Sequence, residues 1–306
     1  MSCCLYVMES MKLLFTLDKN YLPQLHVVLT SLRFNNPGES FDIYLMHRGL
    51  QDEDLETIER RCQAYDWQFK AITVDETLFA HAPVSKQYPQ EMYYRMLAPH
   101  LLPADVERVL YLDPDILVIN PLRPLWETDL DGCLFAAAAH TGKTELVSSV
   151  NRVRLNVDND YFNSGVLLID CKAGRRAIEP QVLFDFTAAH GKQLILPDQD
   201  LLNQLFGTQV QPVEDTLWNY DHRDYHGYYL TSGGRMDADW VMSNTAILHF
   251  CGKAKPWKSN YRYRFGILYK HYQQLTRHEV AALLGVCSEI IGRRMTVQKV
   301  VHLLFI

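Results

Sequence analysis

Two aspartates one residue apart interrupt an otherwise apolar run, RVLYLDPDILVI, at residues 108–119. In a buried strand Asp113 and Asp115 need compensation, because an unpaired buried carboxylate is costly or is forced neutral. A divalent cation is the economical partner. Two hard oxygen ligands this close can reach one Mn²⁺ or Mg²⁺ held against phosphates. A lone Asp-x-Asp is more often a turn facing water, by roughly four to one. The flanking strand pattern and a second stretch, ILHFCGKAKPW at 247–257, reverse those odds. There a strand ends at His249, whose imidazole can ligate Mn²⁺ beside carboxylates. Gly252 lets backbone approach an anion, and Lys255 offers a point charge to phosphate. A strand-end histidine alone is more often structural. Together the two stretches point to a metal–diphosphate site.

The elements that must carry these residues alternate. KLLFTLD (12–18), FDIYLMH (41–47) and QFKAITV (68–74) read as strands, and YLPQLHVVLTSLRFNN (21–36) and QDEDLETIERRCQAYD (51–66) as helices. The second helix carries acids in its first turn, as the macrodipole prefers. A helix near EMYYRMLAPHLL precedes a fourth strand at the paired aspartates. Later come GCLFAAAAH (132–140), FNSGVLLID (162–170), the helix PQVLFDFTAAHG (180–191) and the strand AILHF (246–250). This alternation predicts an α/β sheet flanked by helices, whose ligands bind at the carboxyl ends of strands. Asp18, Asp113 and His249 all fall at or just past such ends.

The two chemistry-bearing stretches, together with FTLDKNY (15–21), YFNSGVLLID (161–170) and LPDQDLLNQLF (196–206) in the same order, resemble the family 8 retaining glycosyltransferases. That group contains lipopolysaccharide galactosyl- and glucosyltransferases and glycogenin. The resemblance spans about residues 12 to 257 and is specific to the family, not to one sugar. It implies a GT-A type nucleotide-diphospho-sugar transferase fold, with a mixed, mostly parallel sheet. It also implies transfer of glucose or galactose from a UDP-sugar donor, with Mn²⁺ (Mg²⁺ as the alternative) held by Asp113, Asp115 and His249, around Pro114. Lys255 and the Gly252 backbone would bind the diphosphate, and Asp18, Asn20 and Tyr21 would form the nucleoside pocket. Arg95 matches an arginine near the donor sugar, and Asn163 a contact to a sugar hydroxyl. Asp198 would hold donor hydroxyls and Gln199 would lie near the anomeric carbon, which makes this pair the catalytic candidates.

Each position also has a plainer reading. Asp18 caps a helix, Arg95 makes a salt bridge and Asn163 begins a strand from a turn. Asp198-Gln199 starts a helix, a reading that takes about one third of the weight as the sole role. Retention requires a covalent intermediate or same-face attack. Gln199 is a poor nucleophile, so same-face substitution is expected. Tyr225, His226 and Tyr228 are equally readable as an acceptor platform or a surface loop, and Cys251 as an acceptor-side or a buried small residue.

The remaining signals set boundaries. The chain has 306 residues, 48% hydrophobic and 22% charged, enough for a large core. Its seven cysteines form no Cys-x-x-Cys pair, which argues against a zinc ribbon and fits a reducing cytosol. Residues 1–10 read as an extension before a natural first strand, and 11–257 as the catalytic domain. Residues 258–306 read as a basic, aromatic, helical appendage with eight Lys or Arg against two acids, while the rest carries 22 against 34. Basic residues among Tyr261, Tyr263, Phe265, Tyr269 and Tyr272 suggest contact with an anionic membrane surface, or else a solvated face or dimer contact. The expected location is thus cytoplasmic, at the inner face of the membrane. The expected acceptor is a carbohydrate or glycolipid, with no nucleic-acid partner and a homo-oligomer left open. Two other classes compete: a metal-dependent nucleotidyltransferase, and a catalytically silent assembly partner. The first lacks a glycine-rich phosphate loop, and the second sits badly with six intact site residues.

Overall fold

The structure, a computed structural model, describes residues 9–79, 82, 90–139 and 150–283. Its strands are β1 (Met11–Thr16), β2 (Phe41–His47), β3 (Gln68–Thr73), β4 (Arg108–Leu112) and β5 (Ile116–Val118). They continue with β6 (Phe135–Ala138), β7 (Val166–Asp170), β8 (Val210–Val213), β9 (Tyr220–Asp221) and β10 (Ile247–His249). Seven form one sheet in the order β3-β2-β1-β4-β7-β6-β8. Only β7 runs against its neighbours there, so the sheet is mixed and mostly parallel, as expected. The other three form a small sheet, β5-β10-β9.

The central strands are apolar on both faces because helices cover both. Along β1 the side chains alternate: Leu13 and Phe15 enter the core shared with α1 (Leu22–Asn35) and α2 (Asp52–Gln63). Leu14 points to the opposite core, beside Tyr93 and Leu97 of α3 (Glu91–Leu101) and Leu201 of the helix Pro197–Phe206. Pro23 lies in the first turn of α1, where a missing N–H is harmless. Gln51 and Asp54 form a reciprocal capping box at the start of α2. These are the ends that the sequence pattern marks.

Two expectations change. The run around the paired aspartates is not one strand: β4 belongs to the large sheet and β5 to the small one, with Asp113-Pro114-Asp115 as the step between them. The predicted strand 162–170 starts only at Val166, because Asn163 Oδ1 accepts from the Gly165 N–H (2.9 Å) and turns the chain.

The predicted tail is helical over Gly266–Leu283, and its aromatic face is packed inward. Tyr261, Phe265, Tyr269 and Tyr272 are buried in a third cluster with Leu117, Tyr220, Leu248 and Phe250. That cluster crosses the boundary expected after residue 257. The helix is also pinned by charge. Glu279 accepts from the buried Arg61 (2.8 Å), Arg33 (3.0 Å), Tyr65 (2.6 Å) and Thr30 (3.2 Å), which joins it to α1, α2 and the turn after α2. Among the described residues no helix is long and apolar enough to cross a membrane. Most of the proposed N-terminal extension and the apolar segment 295–306 lie outside the described residues.

Candidate active site

Strand ends from the two sheets meet at one seam. Asp113 follows β4, and its N–H donates to the Gly165 carbonyl (2.8 Å) just before β7. Asp115 precedes β5, and its carbonyl accepts from Phe250 N–H (2.9 Å) just after β10. His249 ends β10 in register with Ile116. Residues far apart in sequence therefore converge: His249 Nε2 lies 3.4 Å from Asp115 Oδ1 and 3.9 Å from Asp113 Oδ2.

Cations and donors surround this cluster. Lys255 Nζ pairs with Asp115 Oδ2 and also donates to the Phe250 carbonyl (2.9 Å). Arg95 bridges Asp113 (3.3 Å) and Asp198 (2.9 Å), with its guanidinium 4.7 Å from the Tyr111 ring centre. The Tyr111 hydroxyl donates to Asp113 Oδ1 (2.6 Å). Burial raises the Asp113 carboxyl above the usual carboxylate range, with Arg95 opposing and Asp115 adding to the rise. Burial pushes Asp115 the same way, but His249 and Lys255 outweigh it and hold that carboxyl well below its ordinary value. For His249, burial works against protonation, yet Cys251 and Asp115 together raise its pKa well above the ordinary imidazole value.

The residues fit a divalent ion. Ligand atoms of Asp113, Asp115 and His249 all lie within 4.8 Å of one another. Carboxylate oxygens with one imidazole suit Mn²⁺ and, less selectively, Mg²⁺. Gly165 lies flat against the cluster: a Cβ there would come 2.4 Å from His249 Cε1 and 2.6 Å from Asp113 Oδ2. On the far side of the ring, His249 Nδ1 meets Asn219 Oδ1 at 2.8 Å.

A cleft of about 290 Å³ opens beside the cluster. Of the predicted residues, Asp113, Asp115, Asn163, Asp198, Gln199, His249 and Gly252 line it. Asn163 Nδ2 donates to Gln199 Oε1 (3.3 Å), and Ser164 Oγ to Asp198 Oδ2 (3.2 Å). Arg95 and Lys255 stand behind the lining acids, bonded to them. Asp18 is the helix cap of its plainer reading, accepting from Asn20 N–H (2.9 Å) and from the Asn20 side chain (3.0 Å). Tyr21 packs edge-on to Trp257 (6.0 Å). Burial raises its phenol pKa, and its field includes Lys255, Asp115 and Asp113, which puts it beside the site although outside the cleft lining.

Tyr225, His226 and Tyr228, equally readable as an acceptor platform or a surface loop, are not in the cleft lining. Tyr225 and Tyr228 are buried in the third cluster, where the Tyr228 hydroxyl donates to Asp215 (2.7 Å), and His226 is exposed away from the cleft lining. Cys251 does line the cleft. Asp200, the second acid of Asp198-Gln199-Asp200, is fully buried and accepts from Ile195 N–H (2.8 Å), Leu196 N–H (3.2 Å) and Tyr161 (2.5 Å). It fixes the turn that leads into the helix Pro197–Phe206, whose first turn carries Asp198 and Gln199.

Sequence reasoning missed Tyr111, Gly165, Asn219 and Arg223. Arg223 lines the cleft, held by Asp221 through paired bonds (Nε–Oδ1 2.9 Å, Nη2–Oδ2 2.6 Å). Gly252 has φ +78°, and a Cβ there would meet Arg223 Nη1 at 2.7 Å, so the glycine serves both the turn and the arginine. The Asn-Ser-Gly before an apolar run was a readable sign of close approach at Gly165. Asn219 carried no comparable signal.

Comparison with known proteins agrees with this geometry. The model of glycosyl transferase family 8 matches residues 12–261. General stress protein A of Bacillus subtilis is 28% identical, over 88% of this chain and 95% of its own. Lipopolysaccharide 1,2-glucosyltransferase of Escherichia coli is 23% identical, over 81% of this chain and 74% of its own. Among solved structures, the galactosyltransferase LgtC in complex with donor and acceptor sugar analogs superimposes with a TM-score of 0.71 at 23% identity, over 87% and 96% of the two chains. The likeness to LgtC is one of fold, the GT-A arrangement.

Proposed function

We propose, starting from the fact that this chain belongs to glycosyl transferase family 8, that it moves glucose or galactose from a UDP-sugar to a hydroxyl of a carbohydrate or glycolipid acceptor with retention of configuration. The observation that carries this reading is the meeting of Asp113, Asp115 and His249 in the cleft that Asp198 and Gln199 also line. The names of relatives support a hexose: the Escherichia coli glucosyltransferase and the lipopolysaccharide 1,3-galactosyltransferase of Salmonella typhimurium.

In this reading Asp113, Asp115 and His249 hold Mn²⁺, or Mg²⁺, which when bound supplies Lewis-acid stabilisation of the departing diphosphate. Lys255 and the Gly252 backbone receive the diphosphate, and Asp18, Asn20 and Tyr21 receive the nucleoside. Arg95 orients Asp198, so that its carboxylate accepts from donor-sugar hydroxyls, while Asn163 steadies Gln199 near the anomeric carbon. Asp198 is already engaged by Arg95 and Ser164, and an amide is a poor nucleophile, which favours same-face substitution over a covalent adduct. The anomeric C–O bond to diphosphate breaks, the acceptor oxygen forms its bond on the same face, and a diphosphate oxygen takes the acceptor proton. A kinetically competent glycosyl adduct on Asp or Glu, sought by mass spectrometry, would refute that step.

The cheapest test is a UDP-sugar panel read by thermal shift with and without Mn²⁺, followed by product analysis without acceptor. Slow UDP release is the expected outcome. Conversion of the UDP-sugar and added pyrophosphate to UTP and a sugar 1-phosphate would instead indicate the nucleotidyltransferase, and neither reaction the silent partner. Contact with an anionic membrane rests, in this proposal, on exposed Lys258, Arg262, Arg264 and Lys270, since four of the tail's aromatics are buried. Charge reversal at Arg262 and Lys270 should abolish sedimentation with anionic vesicles, and undiminished binding would overturn this part.

A further inference from the structure

Asn219 is fully buried, follows the short helix Asp215–Trp218 and precedes β9, whose Asp221 is in register with His249. Its amide is oriented by a chain of bonds that starts from a backbone group. The Gly165 N–H can only donate, so Asn163 Oδ1 (2.9 Å) is an acceptor. The same Asn163 Oδ1 lies 3.0 Å from Asn219 Nδ2, so that atom is the donor. Asn219 therefore turns its oxygen, which can only accept, to His249 Nδ1 at 2.8 Å. A ring proton is thus held on Nδ1, which leaves Nε2, facing Asp115 and Asp113, as the nitrogen free to meet an ion. Asn163 completes the line by donating from Nδ2 to Gln199 Oε1 (3.3 Å).

We propose that Asn219 is a positioning residue with two linked tasks. It fixes His249 in the tautomer that offers Nε2 to a divalent ion, and through Asn163 it ties that ligand to Gln199. The inference rests on the metal reading above and adds a residue and a route to it. A metal-bound histidine depends on the partner of its other nitrogen, and loss of such a partner typically costs 10–100-fold in metal affinity. The relay adds a second consequence: the ion's ligand and the sugar-facing amide are set by one side chain, so they can be uncoupled by choosing its replacement.

The test uses the full chain and Mn²⁺ alone as probe, measured by calorimetric titration, with unfolding midpoints in chelator as the control for folding. Asn219→Leu removes both bonds, and its Mn²⁺ affinity should fall about 10–100-fold. Asn219→Asp keeps an acceptor for the Nδ1 proton but loses the donor to Asn163. Its Mn²⁺ affinity should stay within a few-fold of wild type, while UDP-sugar binding at saturating Mn²⁺ weakens. A merely structural asparagine would not give this split. Asn219→Ala replaces the leucine variant if the latter does not fold. Histidine ¹⁵N spectra of the wild-type chain loaded with diamagnetic Mg²⁺, which takes the place of any proton on Nε2, report the tautomer directly, and a bare Nδ1 on His249 would overturn the inference. So would unchanged Mn²⁺ affinity in Asn219→Leu, or an equal fall in the leucine and aspartate variants. Failure of the wild-type chain to bind Mn²⁺ would defeat the metal reading itself, and this inference with it.

Discussion

At the scale of single residues, the site is decided as much by a missing side chain as by the charged ones. Gly165 presses its backbone against both Asp113 and His249. Gly165→Ala should therefore displace a ligand and cost at least 10-fold in Mn²⁺ affinity, the scale of a disturbed metal shell. Titration of the variant checks this, and an affinity equal to wild type would show that the neighbours yield at no cost. The acids and the histidine were legible in the sequence because polar groups at the ends of apolar runs demand a partner. Asn219 and Tyr111 were not. Each is an ordinary residue in its local context: Asn219 is selected by hydrogen bonds to Asn163 and His249, which only the fold brings near, and Tyr111 by a bond to Asp113 two residues on.

At the scale of elements, spacing carried more information than composition. The tyrosines and phenylalanine after residue 258 sit among basic residues, which favours a membrane interface on composition. Yet Phe265, Tyr269, Tyr272 and Thr276 recur at helical intervals, and all four are buried. The periodicity marked a packed face. The division of β4 from β5 had no such marker, because both strands are buried and no alternation registers the change of sheet. Glu279 offers the sharpest test of the terminal helix. It is the carboxylate partner of Arg61, whose side chain is wholly buried, and Glu279→Gln should leave that charge uncompensated at a cost of about 3 kcal/mol. Urea unfolding measures the loss, and a change below about 0.5 kcal/mol, the range of ordinary surface substitutions, would mean that the network does not hold the helix.

At the scale of the whole molecule, the α/β alternation predicted the sheet and its helical layers, but not the small second sheet that carries His249 to the acids. Stability should also carry a readable dependence on pH. Burial, aided by Arg61, pushes His26 in α1 down to about 3 from an ordinary value of 6.5. Below 6.5 the unfolded chain takes up a proton that the folded chain refuses, so this contribution is intact above 6.5 and is lost as pH falls toward 3. Between pH 7 and 5 the loss from His26 alone is about 2 kcal/mol. Wild type should therefore lose that much more than His26→Gln over the interval. Parallel curves for the two proteins would refute it. The Glu279 network has a practical corollary for anyone trimming this gene. The family match stops at residue 261, short of the counter-charge that neutralises a guanidinium sealed in the interior. An expression vector cut at that seam should yield aggregates, not a minimal enzyme, and chimeras with relatives should exchange the last helix and its two partners as one cassette.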